Sequence, residues 1–278
     1  MCSKGKRQSP INIPTNGSNI EIIEKALLTF CQNYFVPEAN AMLINNGHTV
    51  QITLNKTTRC ITLNASIFKQ PIKYVLHHLH FHWGRKVYSG CEHRINDKTC
   101  DLEAHFVHYN AKYSSFEQAA AQPDGLMVIG VLFRVDKKAD EKNGLPAISK
   151  RLKNVIEPNK SFKFEKPLDF AKLLRVIPMA KNVAGKMSQV AEANVPGPDF
   201  VIFNGSLTTP PCSENVIFVI FIHRLPISVS QKEPFLELKK MKDGKIVPMG
   251  DNNRATQPLG DRKIYVAKSY DFDFDKRK

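Results

Sequence analysis

The most useful first observations on this 278-residue chain are absences. No stretch approaches eighteen consecutive apolar residues, so no membrane-spanning helix is expected. The first ten residues, MCSKGKRQSP, hold no apolar run of the kind a signal peptide needs. A secreted form is therefore expected to have had that segment removed. None of the six cysteines is spaced Cys-x-x-Cys, which sets aside thiolate zinc sites and thioredoxin-type redox sites. Internal repeats, low-complexity tracts and Pro-, Gly- or Ser-rich linkers are missing, and the expectation is one domain over residues 1–278. Acidic residues are outnumbered: 26 Asp and Glu against 40 Lys and Arg leave a formal net charge of +14. The basic residues do not gather into one stripe with interleaved aromatics, so nucleic acid is not an expected partner. Short runs such as LKKMKDGK read as solvated, while the overall charge leaves an acidic matrix or surface partner open.

What is present is mostly strand. AMLINNGHTVQITL reads as a hairpin around Asn46-Gly47, a strong short-range turn signal. CITLNASIF, KYVLHHLHFHW, DLEAHFVHYN, GLMVIGVLFRV and VIFVIFIHRL are rich in β-branched and aromatic residues and read as further strands. Helical patterns are fewer: SSFEQAAAQ behind a capping serine, LPAISKRLKNVIEP, and SVSQKEPFLELKKM with Pro234 early in it. AKNVAGKMSQVAEANVPGPD has no periodicity and is expected to be a loop. The fold class is therefore α+β and sheet-dominated. A large twisted, mainly antiparallel β-sheet with a few short peripheral helices is expected.

Four of the nine histidines fall within VLHHLHFHWG. Alternation along a strand puts His78, His80 and His82 on one face and His77 on the other. A second strand supplies His105 and, on its opposite face, His108. If the two strands pair antiparallel, His105 lies beside His80 and His82. Three neutral imidazoles from neighbouring strands can hold zinc and leave one tetrahedral position for water. Spacing alone does not separate that reading from buried structural histidines.

Nine stretches decide the matter. RQSPINI, INNGH, HLHFHWG, GCEH, DLEAHFVHYN, QPDGLMVIGVLF, NGSLTTPPCSE, PISVS and DNNRATQPL occur in the order found in α-class carbonic anhydrases, which the chain resembles over almost its whole length. The resemblance implies a single domain around a twisted, largely antiparallel sheet, and a Zn2+ enzyme that converts CO2 to bicarbonate. It implies that His80, His82 and His105 are the zinc ligands, with Glu103 orienting His105 and the Asn252 carbonyl orienting His82. His78 stands where the family's cytosolic pattern has glutamine, and is expected to hydrogen-bond His80. Thr208 is expected to accept a hydrogen bond from the attacking hydroxide and to donate one to Glu92. Thr209 would line the bicarbonate side, and Val107, Val128, Leu207, Val216 and Phe218 the CO2 pocket. His48 matches the proton shuttle, with Asn46 and Gln51 lining its water path.

Two departures stand out: Phe218 replaces the usual tryptophan, and Phe203 replaces a tyrosine whose hydroxyl is lost. No role follows for His77, and His93 and His108 are expected to be buried hydrogen-bonders. The resemblance to secreted members implies a Cys2–Cys212 bridge, leaving the pairing of Cys31, Cys60, Cys91 and Cys100 open. Five Asn-x-Ser/Thr sequons, at Asn16, Asn55, Asn64, Asn159 and Asn204, tilt the reading toward a secreted glycoprotein. Asn204 is discounted because it is expected inside the site wall. The alternative class is a family member that keeps the fold and has lost the chemistry.

Overall fold

The computed structural model describes residue 2 and residues 5–23, 26–31, 33–54, 59–142, 145–169 and 200–267. The early strands are β1 (Asn12–Ile13), β2 (Ile20–Ile23), β3 (Ala26–Phe30), β4 (Met42–Asn45), β5 (Val50–Thr53) and β6 (Cys60–Ala65). The long ones follow: β7 (Ile72–Trp83), β9 (Leu102–Asn110) and β10 (Leu126–Val135), with the two-residue β8 (Arg94–Ile95) between. Beyond them come β11 (Ser161–Lys163), β12 (Phe200–Gly205), β13 (Val216–Ile227), β14 (Lys239–Lys242), β15 (Lys245–Pro248) and β16 (Ile264–Ala267).

Among the described residues twelve strands form one sheet in the order β11-β4-β5-β7-β9-β10-β13-β12-β16-β2, with β6 also pairing β7 and β3 outside it. Most neighbours are antiparallel, as expected; β10–β13 and β16–β2 are parallel, so the sheet is mixed. The hairpin at Asn46-Gly47 forms, with Gly47 at φ +84°, in the left-handed region that glycine enters at little cost.

Helices are short. α1 (Phe116–Ala120) starts where the Ser115 hydroxyl accepts from the Gln118 N–H at 3.2 Å. LPAISKRLKNVIEP yields only α2 (Pro146–Ser149) and a 3-10 turn, Leu152–Asn154. In SVSQKEPFLELKKM the helix α3 (Val229–Leu236) ends early, because Lys239–Lys242 pairs with Lys245–Pro248 as a hairpin instead. AKNVAGKMSQVAEANVPGPD falls outside the described residues.

Alternation in the long central strands creates two faces. Leu79, Phe81, Trp83, Ala104, Phe106, Met127 and Ile129 enter the larger apolar core. Val107, Leu126, Val128, Phe203, Val216 and Phe218 enter a second, smaller cluster on the other face. The polar residues of the site share that second face, since His80 pairs with His105, His82 with Glu103, and Val107 with Val128. Gly130 lies opposite His105; a Cβ there would come within 2.4 Å of an Ile220 methyl and 3.3 Å of Glu103 Oε1. The sequence thus leaves room for that carboxylate.

All six cysteines are bridged: Cys2–Cys212, Cys31–Cys60 and Cys91–Cys100. With 210 residues between its ends, the first restricts the unfolded chain most, by up to about 5 kcal/mol in the chain-entropy view. Of the sequons, Asn16, Asn64, Asn159 and Asn204 are exposed, and Asn55 lies outside the described residues. Asn204 therefore does not sit inside the site wall. Alternation along β12 points Phe203 and Gly205 inward and Asn204 out.

Candidate metal centre

β7 and β9 bring three imidazoles together at the centre of the sheet. Ring centroids of His80, His82 and His105 are 4.6–5.2 Å apart. One nitrogen from each lies within 4.8 Å of the others. His82 and His105 are buried, while His80 is partly open to solvent.

Each ring has its second nitrogen engaged. His82 Nδ1 lies 3.1 Å from the Asn252 carbonyl and His105 Nε2 2.7 Å from Glu103 Oε1. His80 Nδ1 is 3.2 Å from His78 Nε2. The nitrogens left over are His80 Nε2, His82 Nε2 and His105 Nδ1. Fixing the outer nitrogen decides the tautomer, so each inner nitrogen can present a lone pair. Burial, reinforced by the neighbouring rings, drives His80 well below the ordinary histidine value, and burial also lowers His82. His105 behaves oppositely. Burial works against its charge, but the Glu103 carboxylate outweighs it and raises the ring.

Glu103 is saturated. Its Oε2 accepts the Glu92 and His93 N–H groups, both at 2.9 Å, and its Oε1 faces His93 Nδ1 and His105 Nε2, both at 2.7 Å. Burial opposes its charge, yet the two imidazoles hold it well below the carboxylate range. The Cys91–Cys100 bridge closes the loop that brings Glu92 and His93 to it.

Glu92 is the second buried carboxylate. Its Oε1 accepts from the Arg254 N–H at 2.9 Å. Its Oε2 lies 3.4 Å from His82 Nε2 and 4.0 Å from His105 Nδ1, without a hydrogen bond. The expected Thr208–Glu92 bond is thus not formed. One carboxylate oxygen is taken by Arg254, and the other is drawn toward the two imidazoles. Thr208 is half-buried and Thr209 exposed on the turn between β12 and β13.

Among the described residues, His82 Nε2 and Glu92 Oε2 are both buried without a hydrogen-bond partner, 3.4 Å from each other. Unpartnered buried polar atoms are costly, and a cation there would satisfy both. A donor set of three imidazoles is one that zinc favours. The residues present fit that metal.

The apolar wall comes from Val107, Val128, Val216 and Phe218, all buried, with partly buried Leu207 packed against them. Phe218 and Phe203 are cross-strand partners and stack at 5.3 Å. The two departures are thus one repacked pair. Phe203 is also 5.6 Å from the His93 ring, whose Nε2 is buried without a partner among the described residues. His48, on the β4–β5 hairpin, is exposed; its carbonyl accepts from Asn252 Nδ2 at 3.1 Å. Asn252 therefore links the His82 ring to the hairpin that carries His48. Asn46 is exposed beside it, 3.4 Å from Gln51 across the hairpin.

The expectation for His77 is corrected. The β7–β9 register shifts between Leu76 and His78, so His77 sits at a bulge. A bulge interrupts alternation, and the His77 ring reaches His78 rather than the far side of the sheet, with 2.9 Å between their Nδ1 atoms. His108 is buried, between the Tyr34 hydroxyl at 2.8 Å and the Phe106 carbonyl at 2.8 Å.

Sequence reasoning missed Arg254. Besides the N–H given to Glu92, its guanidinium donates to Gln8 Oε1, to the Ser9 carbonyl and to the Cys2 carbonyl at 2.6–3.0 Å. Gln8 Nε2 reaches the Cys212 carbonyl at 3.0 Å, and the Ser9 N–H reaches Ser206 Oγ at 2.9 Å. The N-terminal segment is thereby fastened to the turn bearing Thr208. The only sequence signal was Arg254's place within DNNRATQPL.

Comparison with known proteins adds a family to this geometry. Residues 1–268 match the model of the eukaryotic-type carbonic anhydrases. A human carbonic anhydrase-related protein is 30% identical over 277 residues, covering 95% of this chain and 84% of the relative. Mouse carbonic anhydrase 15 is 32% identical over 264 residues, 94% of this chain and 75% of its own. Dog carbonic anhydrase 6 is 33% identical over 230 residues, 82% and 62%.

Proposed function

The chain belongs to the eukaryotic-type carbonic anhydrase family, and from that premise we propose that it is a zinc lyase interconverting CO2 and bicarbonate, with residues 1–278 as one catalytic domain. The observation that carries this is the trio of inward imidazole nitrogens within 4.8 Å, each ring fixed from outside by a different partner. Zinc, when bound, supplies a water that ionises near neutral pH, with the pKa of about 7 known for this family.

The chain's own residues do the rest. His80, His82 and His105 hold the metal, and His78, Asn252 and Glu103 keep their rings in the binding tautomer. Glu92 sets a negative carboxylate beside them. Thr208 Oγ1 orients the attacking oxygen, and Thr209 lines the side where bicarbonate forms. Val107, Val128, Leu207, Val216 and Phe218 give a nonpolar gas a weakly binding apolar wall. His48 takes the released proton to solvent, which its exposed place on the β4–β5 hairpin allows.

Stopped-flow CO2 hydration before and after complete metal removal tests the reading. Activity lost on chelation and restored by zinc supports it; activity unchanged in metal-free protein sinks it. His48→Ala should lower turnover in weak buffer by at least about tenfold and be rescued by imidazole. Without rescue, His48 leaves the shuttle role.

A second reading is a family member that keeps the fold without the reaction, a reading the name "related protein" among its relatives brings forward. Stoichiometric zinc with no CO2 hydration would establish it. We further propose secretion as a glycoprotein, supported by three bridges and four exposed sequons. The charge of +14 supports salt-sensitive attraction to an acidic matrix or surface.

A further inference from the structure

Two more imidazoles stand in line behind His80. His80 Nδ1 lies 3.2 Å from His78 Nε2, and His78 Nδ1 lies 2.9 Å from His77 Nδ1. The arrangement depends on the bulge in β7, because strict alternation would put His77 on the far face. The His77 ring is held in turn by Phe116, stacked at 4.0 Å and 5° on the first residue of α1. Nothing in the function proposed above uses His77.

The order of protons along this string is constrained. If His80 gives Nε2 to a metal, its own proton sits on Nδ1 and is donated to His78 Nε2. His78 can accept there only with its proton on Nδ1, and that proton points at His77 Nδ1. A glutamine at position 78 would accept through its carbonyl oxygen whatever surrounded it. An imidazole accepts through Nε2 in only one of its two neutral tautomers. A histidine in this position needs a further group to select the tautomer.

We infer that His77 is a positioning residue: by accepting from His78 Nδ1 it selects the His78 tautomer that lets His80 turn Nε2 toward the metal. The inference rests on the zinc reading above. Partners that contact a ligand directly are worth 10–100-fold in metal affinity, so a group one step farther out should be worth about three- to tenfold.

The experiment compares zinc release to a chelator from wild type, His77→Ala, His77→Gln, His78→Gln and the double variant His77→Ala/His78→Gln. His77→Ala should release zinc about three to ten times faster. His77→Gln, whose carbonyl oxygen can still accept, should fall within about twofold of wild type. In the His78→Gln background, His77→Ala should change nothing. Equal release from wild type and His77→Ala overturns the inference. So does the same acceleration in both backgrounds, which would mark His77 as packing for Phe116. Nitrogen-15 NMR of the metal-free wild type gives an independent answer: a proton on His78 Nδ1 supports the inference, and one on Nε2 overturns it. Failure of the wild type to take up zinc would instead overturn the metal reading, and the NMR result would still decide the tautomer.

Discussion

The strands β7, β9 and β10 face two ways, and the two faces obey different rules. Toward the larger core they send Leu79, Phe81, Trp83, Ala104, Phe106, Met127 and Ile129. Toward the site they send His78, His80, His82, Glu103, His105, Val107 and Val128. On the first face the gain is proportional to apolar area, and another side chain of similar volume serves nearly as well. On the second, each buried polar atom needs a partner at the right angle, and one displaced group propagates through the rest. One backbone thus carries a tolerant face and an exacting one. The tolerant face supplies stability, and the exacting face spends part of it on carboxylates and imidazoles kept from water.

Substitution on either face tests that contrast. His80→Ala removes one of three inward nitrogens and should abolish zinc binding, a loss well beyond a hundredfold, since even partners of ligands are worth 10–100-fold. Metal content after dialysis and a zinc competition titration measure it. Retained stoichiometric zinc would detach His80 from the site. Phe81→Ala sits one residue away on the other face, fully buried against Phe235 at 5.5 Å. It should cost about 3–5 kcal/mol in denaturant unfolding while the folded molecules still take up zinc. If zinc affinity fell as far as in His80→Ala, the two faces would not be separable.

How much of this was legible in the sequence follows from the same contrast. Alternation is a property of the chain alone, so His80 and His82 could be placed on one face and the apolar residues between them on the other. The pairing of His80 with His105 followed once two histidine-bearing strands were set antiparallel. What alternation could not show is where it fails, and the bulge at His77 is invisible to a period-two pattern. Contacts returning from distant loops were hidden as well: Arg254 reaches Glu92 from 162 residues away. The Cys31–Cys60 and Cys91–Cys100 pairings also required folded geometry, because six cysteines are compatible with many connectivities. Where a short helix ends is also poorly legible. Apolar spacing in LPAISKRLKNVIEP and SVSQKEPFLELKKM persists past the point where turns and strand pairing take over.

The site face also contains a defect that can be repaired. Among the described residues His93 Nε2 is buried without a partner, and the Phe203 ring lies 5.6 Å from the imidazole. His93 donates its Nδ1–H to Glu103, which in the neutral ring leaves Nε2 as an acceptor. Phe203→Tyr would bring a hydroxyl donor to that side and should stabilise the protein by about 1 kcal/mol, the net worth of one buried hydrogen bond. The unfolding midpoint and the His93 nitrogen shifts report it together. Destabilisation would mean that the stacked Phe203–Phe218 pair has no room for the oxygen.

The smallest expected effect lies where charge rather than packing helps fasten the N-terminal segment to the turn between β12 and β13. Glu214 accepts from the Arg7 N–H at 2.6 Å and from Gln8 Nε2 at 3.0 Å. Burial opposes its charge, but those hydrogen bonds and the Arg7 guanidinium outweigh it, so its folded value lies below the ordinary carboxylate one. A depressed carboxylate means that the unfolded chain binds the proton more readily. Its contribution is therefore complete above the unfolded value and is lost as pH falls through the folded one. Glu214→Gln keeps an acceptor and removes the charge, so it should cost less than about 1 kcal/mol at neutral pH. The difference from wild type should close below the usual carboxylate range. Phe81→Ala, which removes no titrating group, should show a deficit that stays level across the same range. Parallel pH–stability curves for wild type and Glu214→Gln would remove the carboxylate from the clasp.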